Sequence, residues 1–93
     1  MEIQQQQTGT DGVFYIDGDN GHAAELQYAS SGDNTIEIYH TQVVPELQGK
    51  NIGKHLIEAA VDFARQKQLK IIPSCTFAKS VFAADKSYSD VLA

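Results

Sequence analysis

The 93 residues predict a single α/β domain in which a three-stranded antiparallel meander is followed by a helix, a parallel strand and a C-terminal helix. Three observations carry this expectation. Strand-like segments fill the first half and are separated by dense turn signals at residues 17–21 and 30–34. At Ile52 the apolar period changes from two to three and four. A short β-branched run at residues 69–72 then closes a strand, helix, strand order. Such a crossover is right-handed, so its two strands run parallel in one sheet.

The elements follow in order. Residues 4–7 are four glutamines, polar and low in complexity, and residues 1–8 read as a frayed end. Residues 12–16 (GVFYI) are β-prone and end at the turn Asp17-Gly18-Asp19-Asn20-Gly21. Residues 22–29 place Ala24, Leu26 and Tyr28 on one face. Residues 35–44 form the third strand, with Ile36, Ile38 and His40 on one face and Glu37, Tyr39 and Thr41 on the other. From Ile52 the apolar positions Ile52, Leu56, Ala59, Ala60, Phe63 and Ala64 mark one helix face, and Lys54, Glu58, Asp62 and Arg65 the wet side. The helix should stop between residues 66 and 68. Residues 69–72 form the parallel strand, limited by Pro73. Residues 76–85 read as the last helix, with Thr76 as its cap. Ninety-three residues fit one domain, 1–93. A chain of that length buries roughly 60–65% of its unfolded surface.

Val43-Val44-Pro45-Glu46-Leu47-Gln48-Gly49-Lys50-Asn51-Ile52-Gly53-Lys54 joins the strongest strand to the strongest helix. A turn of two glycines, an asparagine and two lysines at a helix mouth leaves amide donors pointing outward. With the positive end of the helix dipole they suit a phosphate. The spacing excludes two familiar motifs. A P-loop places four residues between its glycines and then Lys and Ser or Thr; here three separate Gly49 from Gly53, and His55 follows Lys54. A dinucleotide fingerprint needs three spaced glycines and a later acid.

The loop Gln48-Gly49-Lys50-Asn51-Ile52-Gly53 resembles the pyrophosphate loop of the Gcn5-related N-acetyltransferases (GNAT), written Gln-x-x-Gly/Asn-x-Gly. His40-Thr41-x-Val43 before it, and Ile71-Ile72-Pro73-Ser74-Cys75 after the helix, are similar to the short, single-domain branch of that superfamily. The resemblance covers about residues 35–92. Asn51 stands where most relatives have glycine; asparagine tolerates a left-handed backbone at about 1 kcal/mol. The resemblance implies a minimal GNAT fold and acetyl-coenzyme A as cosubstrate. Backbone N–H groups of Gly49, Lys50, Asn51, Ile52, Gly53 and Lys54, with Gln48, would hold its pyrophosphate. The pantetheine arm would lie along Thr41, Val43 and Val44, where this strand splays from the parallel one. A strand N–H would polarise the thioester carbonyl. The implied activity is N-acetylation of a primary amine. The alternative is a non-catalytic acyl-coenzyme A binding module, since larger members carry N-terminal helices that wall the acceptor site and this chain has no room for them.

Cys75 and His40 are the candidate catalytic residues. Cys75 could carry the acetyl group or help protonate the departing thiolate; the competing reading is a small buried hydrophobe. His40, continuing the Ile36 and Ile38 face, could take the proton of an incoming amine. His22 and His55 lack such placement, and Tyr88 reads as a packing residue. Three dispersed histidines and one cysteine have no metal-ligand spacing, so no metal is expected. Residues 1–47 hold eight acids and no Lys or Arg, whereas residues 48–93 hold seven bases and four acids. With a net charge of −5, nucleic acid is not an expected partner, while a cationic acceptor would be steered favourably. No segment is apolar over a bilayer's thickness, so no membrane partner is expected. A single cysteine and a leader-free N-terminus suit the cytoplasm. An exposed strand edge permits self-pairing without requiring it, which leaves the oligomeric state open.

Overall fold

The computed structural model describes residues 2–93 and orders them as β1 (Gln4–Thr8), β2 (Asp11–Gly18), β3 (Gly21–Ser30), β4 (Thr35–Val43), a 3-10 turn (Pro45–Leu47), α1 (Ile52–Lys67), β5 (Lys70–Pro73), α2 (Thr76–Ala84) and a 3-10 segment (Lys86–Val91). The sheet has five strands in the order β1-β2-β3-β4-β5. The first four are antiparallel neighbours, and β5 joins β4 in parallel. The expected α/β order is present, and the meander has one strand more than expected.

That extra strand corrects the reading of residues 4–7 as frayed. β1 pairs with β2 along its whole length, from Gln4 opposite Tyr15 to Thr8 opposite Asp11. An edge strand need not bury an apolar face, so glutamines serve there if their amides find partners. Gln5 Nε2 donates to the Tyr28 hydroxyl at 2.7 Å, and Gln4 Nε2 donates to Asp17 Oδ2 at 2.9 Å. Gly9, at φ 61, turns the hairpin.

One face of the sheet is dry. Phe14, Ile16, Ala24, Leu26, Tyr28, Ile36, Ile38 and Ile71 are buried on it. Both α1 and α2 pack on this side in one continuous core. Besides the expected Ile52, Leu56, Ala60 and Ala64, α1 buries Ile57 and Val61, because the C-terminal segment and α2 cover its flank. Ala59 and Phe63 are only partly buried. The opposite face of the sheet carries no helix among the described residues. No helix among them is long and apolar enough to cross a membrane.

The register holds one irregularity that matters for the site. Tyr28 faces Ile38, but Gln27 faces His40, so Tyr39 is an extra residue on β4. A bulge of this kind shifts the phase of everything beyond it.

Candidate active site

The β4–β5 ladder is short. It runs from Thr35 opposite Lys70 to Ile38 opposite Pro73. Ser74 N and Cys75 N then donate to the same acceptor, Ile38 O, at 2.9 and 3.2 Å, and the chain turns into α2. β4 continues to Val43 without a neighbour on that side. Val44 N donates to Ala23 O at 2.9 Å. Strand alternation therefore directs Gln42 toward β3, and the amides of Thr41 and Val43 toward the open side. Two strands that part, with two amides facing the gap, can polarise a carbonyl placed between them.

The gap continues into a cleft of about 480 Å³ that reaches the mouth of α1. Thr41, Val43, Gln48, Gly49, Asn51, Ile52, Gly53 and Lys54 line it, together with Gln42, Leu47, Phe77 and Val81. The loop is braced to the strand by Gln48 Nε2, which donates to Val43 O at 3.1 Å. Gly49 has φ 82 and Asn51 has φ 61. Asn51 occupies the N-cap of α1 with no side-chain capping bond, and the first turn contains no acid. The first-turn amides thus have neither a carbonyl nor a carboxylate of their own, which suits an external anion. Lys54 Nζ lies 3.9 Å from Asp85 Oδ2, an exposed pair that leaves the amides unoccupied.

Gly53 is required for contact rather than for its torsion. A Cβ there would lie 2.7 Å from Phe77 Cζ, so the ring edge rests on the bare backbone and α1 meets α2 closely. Phe77, Val81, Leu47 and Gln42 were not anticipated as lining. Phe77 and Val81 recur four apart on α2, a spacing that reads equally as core. Leu47 is turned inward by the 3-10 turn at Pro45–Leu47.

Two residues expected at this cleft lie elsewhere. Val44 lines a separate depression beside Asp17, Asp19 and Glu46. Lys50 lies beside Ile3, His55 and Glu58.

Cys75, not Thr76, is the N-cap of α2. Its Sγ accepts from Ala78 N at 3.4 Å, and the Thr41 hydroxyl lies 3.9 Å away. The sulfur is partly buried where the strands part. It takes the capping role normally filled by an oxygen.

His40 requires a correction. It does not continue the face of Ile36 and Ile38; the Tyr39 bulge turns it to the opposite face and brings Thr41 to the helix side. There His40 Nε2 lies 3.3 Å from Gln42 Oε1 and 3.8 Å from Glu25 Oε2, and its side chain is 43% exposed. Cys75 and His40 thus lie on either side of the sheet at the gap. Tyr88 packs in the core against Phe82, and its hydroxyl donates to Glu58 Oε2 at 3.4 Å. Burial, with the Glu58 carboxylate beside it, pushes its phenol above the ordinary range.

A parted sheet and an uncapped helix mouth thus stand at the two ends of one cleft. The chain belongs to the family of GCN5-related N-acetyl-transferases, which it matches over residues 13–91. It is similar to Protein NATD1 of Xenopus tropicalis, at 37% identity over 54 residues, covering 58% of this chain and 50% of the relative. The chain thus spans about half the length of the curated relatives it matches. It is also similar to a GCN5-like protein from Staphylococcus aureus solved by NMR, with 43% identity and a TM-score of 0.78 over 99% of this chain and 87% of the other. An aminoglycoside N-acetyltransferase in complex with CoA shares the fold alone, at 13% identity and a TM-score of 0.63, covering 89% of this chain and 88% of that one.

Proposed function

We propose that the protein is an acetyl-coenzyme A-dependent N-acetyltransferase acting on a primary amine. The observation that carries this reading is the α1 mouth: uncapped, free of acids in its first turn, and continuous with a cleft leading to the strand gap. Amides of Gly49 to Lys54 hold the pyrophosphate, with Lys54 beside it. Thr41 and Val43 present amides to the thioester carbonyl, and the apolar wall of Leu47, Phe77 and Val81 packs on the arm. Val44 and the Lys50 side chain face other depressions and form no part of the cleft wall. Acetyl-coenzyme A supplies an activated acyl carbon and a good leaving thiolate.

The chain's own groups manage protons. His40, on the open face with Gln42 and Glu25 within reach, accepts a proton from the arriving ammonium, freeing its lone pair for attack. As the C–S bond breaks, Cys75 donates its proton to the departing sulfur or, in a two-step route, takes the acetyl group first. The single free thiol fits a reducing compartment such as the cytosol.

The test combines thermal stability with turnover. Acetyl-coenzyme A at 100 times its dissociation constant should add about 2.7 kcal/mol. Release of coenzyme thiol with amine acetylation supports the enzyme; stabilisation without turnover on any amine assigns a binding module instead. No stabilisation overturns both. A mass gain of one acetyl that vanishes in Cys75→Ala selects the two-step route, and its absence selects direct transfer.

A further inference from the structure

The face of the sheet away from the helices has no element packed on it among the described residues. It is not an ordinary solvated sheet face. Side chains of Val13, Tyr15, Ala29 and Ile72 are only partly buried there, and Tyr39 is 44% exposed. Tyr15 stacks on His22 with ring centroids 4.2 Å apart. Among this apolar surface stand four carboxylates: Asp11, Asp17, Glu25 and Glu37. Two of them are tied down near the gap. Glu37 accepts from the Ser74 hydroxyl, and Glu25 lies between His22 Nδ1 at 3.2 Å and His40 Nε2 at 3.8 Å.

Cations are nearly absent from this face. Every Lys and Arg follows residue 48, and Lys50, Lys54, Arg65, Lys67, Lys79 and Lys86 belong to the loop, the helices and the C-terminal segment. Lys70 alone shares the β5 face, at the end remote from the gap, and its ammonium donates to Asp90 O at 2.6 Å. The bare sheet is therefore acidic with almost no bases to offset it, whereas on the helix side the bases are interspersed with Glu58, Asp62, Asp85 and Asp90. The β4–β5 gap connects the two.

We infer that the bare sheet face docks the acceptor, and that the acceptor is a lysine-bearing peptide with several spaced cations. The inference rests on the transferase reading. Tyr39 and Tyr15 offer ring faces and stems for lysine side chains, and the carboxylates meet their ammonium ends. The amine that enters beside Glu37 and Ser74 reaches the gap at the end of the ladder, opposite Cys75. A monoamine could occupy only the gap, whereas the spread of acids from Asp11 to Asp17 matches cations several residues apart.

The test uses isotope-labelled full-length protein, tetralysine as the probe and coenzyme A thermal protection measured alongside. Expected are amide shifts concentrated on β3 and β4 around Glu25, Glu37 and His40, weakening steeply with salt. Glu25→Gln with Glu37→Gln keeps side chains of the same shape and should weaken tetralysine about tenfold. Asp19→Asn with Asp33→Asn, in turns off the face, removes the same charge and should change it less than twofold. n-Butylamine should bind at least tenfold more weakly than tetralysine. Shifts confined to the helices, no shifts at millimolar tetralysine, equal weakening by the two double variants, or equal binding of n-butylamine would each overturn the dock. Coenzyme protection with tetralysine mapping elsewhere removes the dock alone. Tetralysine on this face without coenzyme protection removes the transferase reading and leaves the dock as a cation-binding surface.

Discussion

Gly49, Asn51 and Gly53 lie within five residues, and the backbone asks something different of each. Gly49 has φ 82 with open space where a Cβ would be, so its torsion selects glycine. Asn51, at φ 61, meets the same demand with a side chain. Any other side chain there lacks asparagine's tolerance of the left-handed region and pays about 1 kcal/mol beyond what asparagine pays. Asn51→Ala should therefore lower the melting temperature by about 4–8 °C, since 1 kcal/mol has roughly that effect in a domain of this size. Asn51→Gly should stay within about 0.5 kcal/mol of the parent, because relief of strain offsets the added freedom of the unfolded chain. Calorimetry decides, and an alanine variant as stable as the parent would refute the torsional account. Gly53→Ala separates stability from binding. A Cβ would displace the outer end of the Phe77 ring, which can swing, and alanine favours the helix by about 1 kcal/mol. Stability should change little, while the ring turns into the cleft and coenzyme A affinity falls about tenfold. Unchanged affinity in isothermal titration would remove Phe77 from the cleft wall.

Among the elements, what was legible in the sequence depended on whether the signal was periodic. The turn at residues 17–21, the change of period at Ile52 and the β-branched run before Pro73 each left a local mark, and β2 to α2 follow them closely. β1 left none, since four glutamines have no apolar alternation and the strand exists only through its pairing. The bulge at Tyr39 was equally silent. Alternation read from Thr35 stays in phase only while pairing is regular, so His40 fell on the wrong face and Thr41 with it. Residues 49–54 were readable because the demands of a helix mouth are written in composition, whereas Phe77 and Val81 depend on how α2 docks. Pairing also makes β2 sensitive where its sequence looks permissive. A Cβ at Gly12 would lie 2.2 Å from Tyr28 Cζ, in a ring that is 1% exposed and holds Gln5. Gly12→Ala should therefore destabilise by about 1–3 kcal/mol. Amide exchange should show β1 and β2 opening first, and protection unchanged in β1 would count against this packing.

For the whole molecule, the C-terminal segment is a strap that closes the fold. Tyr88 and Val91 are buried, Leu92 bridges to Ile71, and Ala93 N donates to Ile71 O at 2.9 Å, which covers the free edge of β5. The strap is fixed by charge at both ends. Arg65 donates to Asp90 Oδ1 and Oδ2 at 2.9 and 3.0 Å and to Ser87 O at 2.8 Å. Asp85 accepts from the Ser87 hydroxyl and amide at 2.6 and 3.0 Å and faces Lys54. Hydrogen bonds from Arg65 hold the Asp90 carboxyl below the ordinary range, and those from Ser87 do the same for Asp85. A depressed folded value means that the unfolded chain binds the proton more readily. The stabilisation is therefore complete above the ordinary carboxylate range and is lost as pH falls through the lower folded values. Asp85→Asn with Asp90→Asn should melt below the parent near neutral pH, and the two melting curves should converge only as pH falls below the ordinary carboxylate range and the parent's carboxylates take up protons too. A difference that stays constant from pH 6 to about pH 2.5 would show that neither carboxylate is linked to folding. Because Asp85 also faces Lys54, the same acidification loosens the strap and neutralises the carboxylate beside Lys54 at the mouth of α1, so that loosening of the strap and a change in charge at the cleft should appear over one pH window.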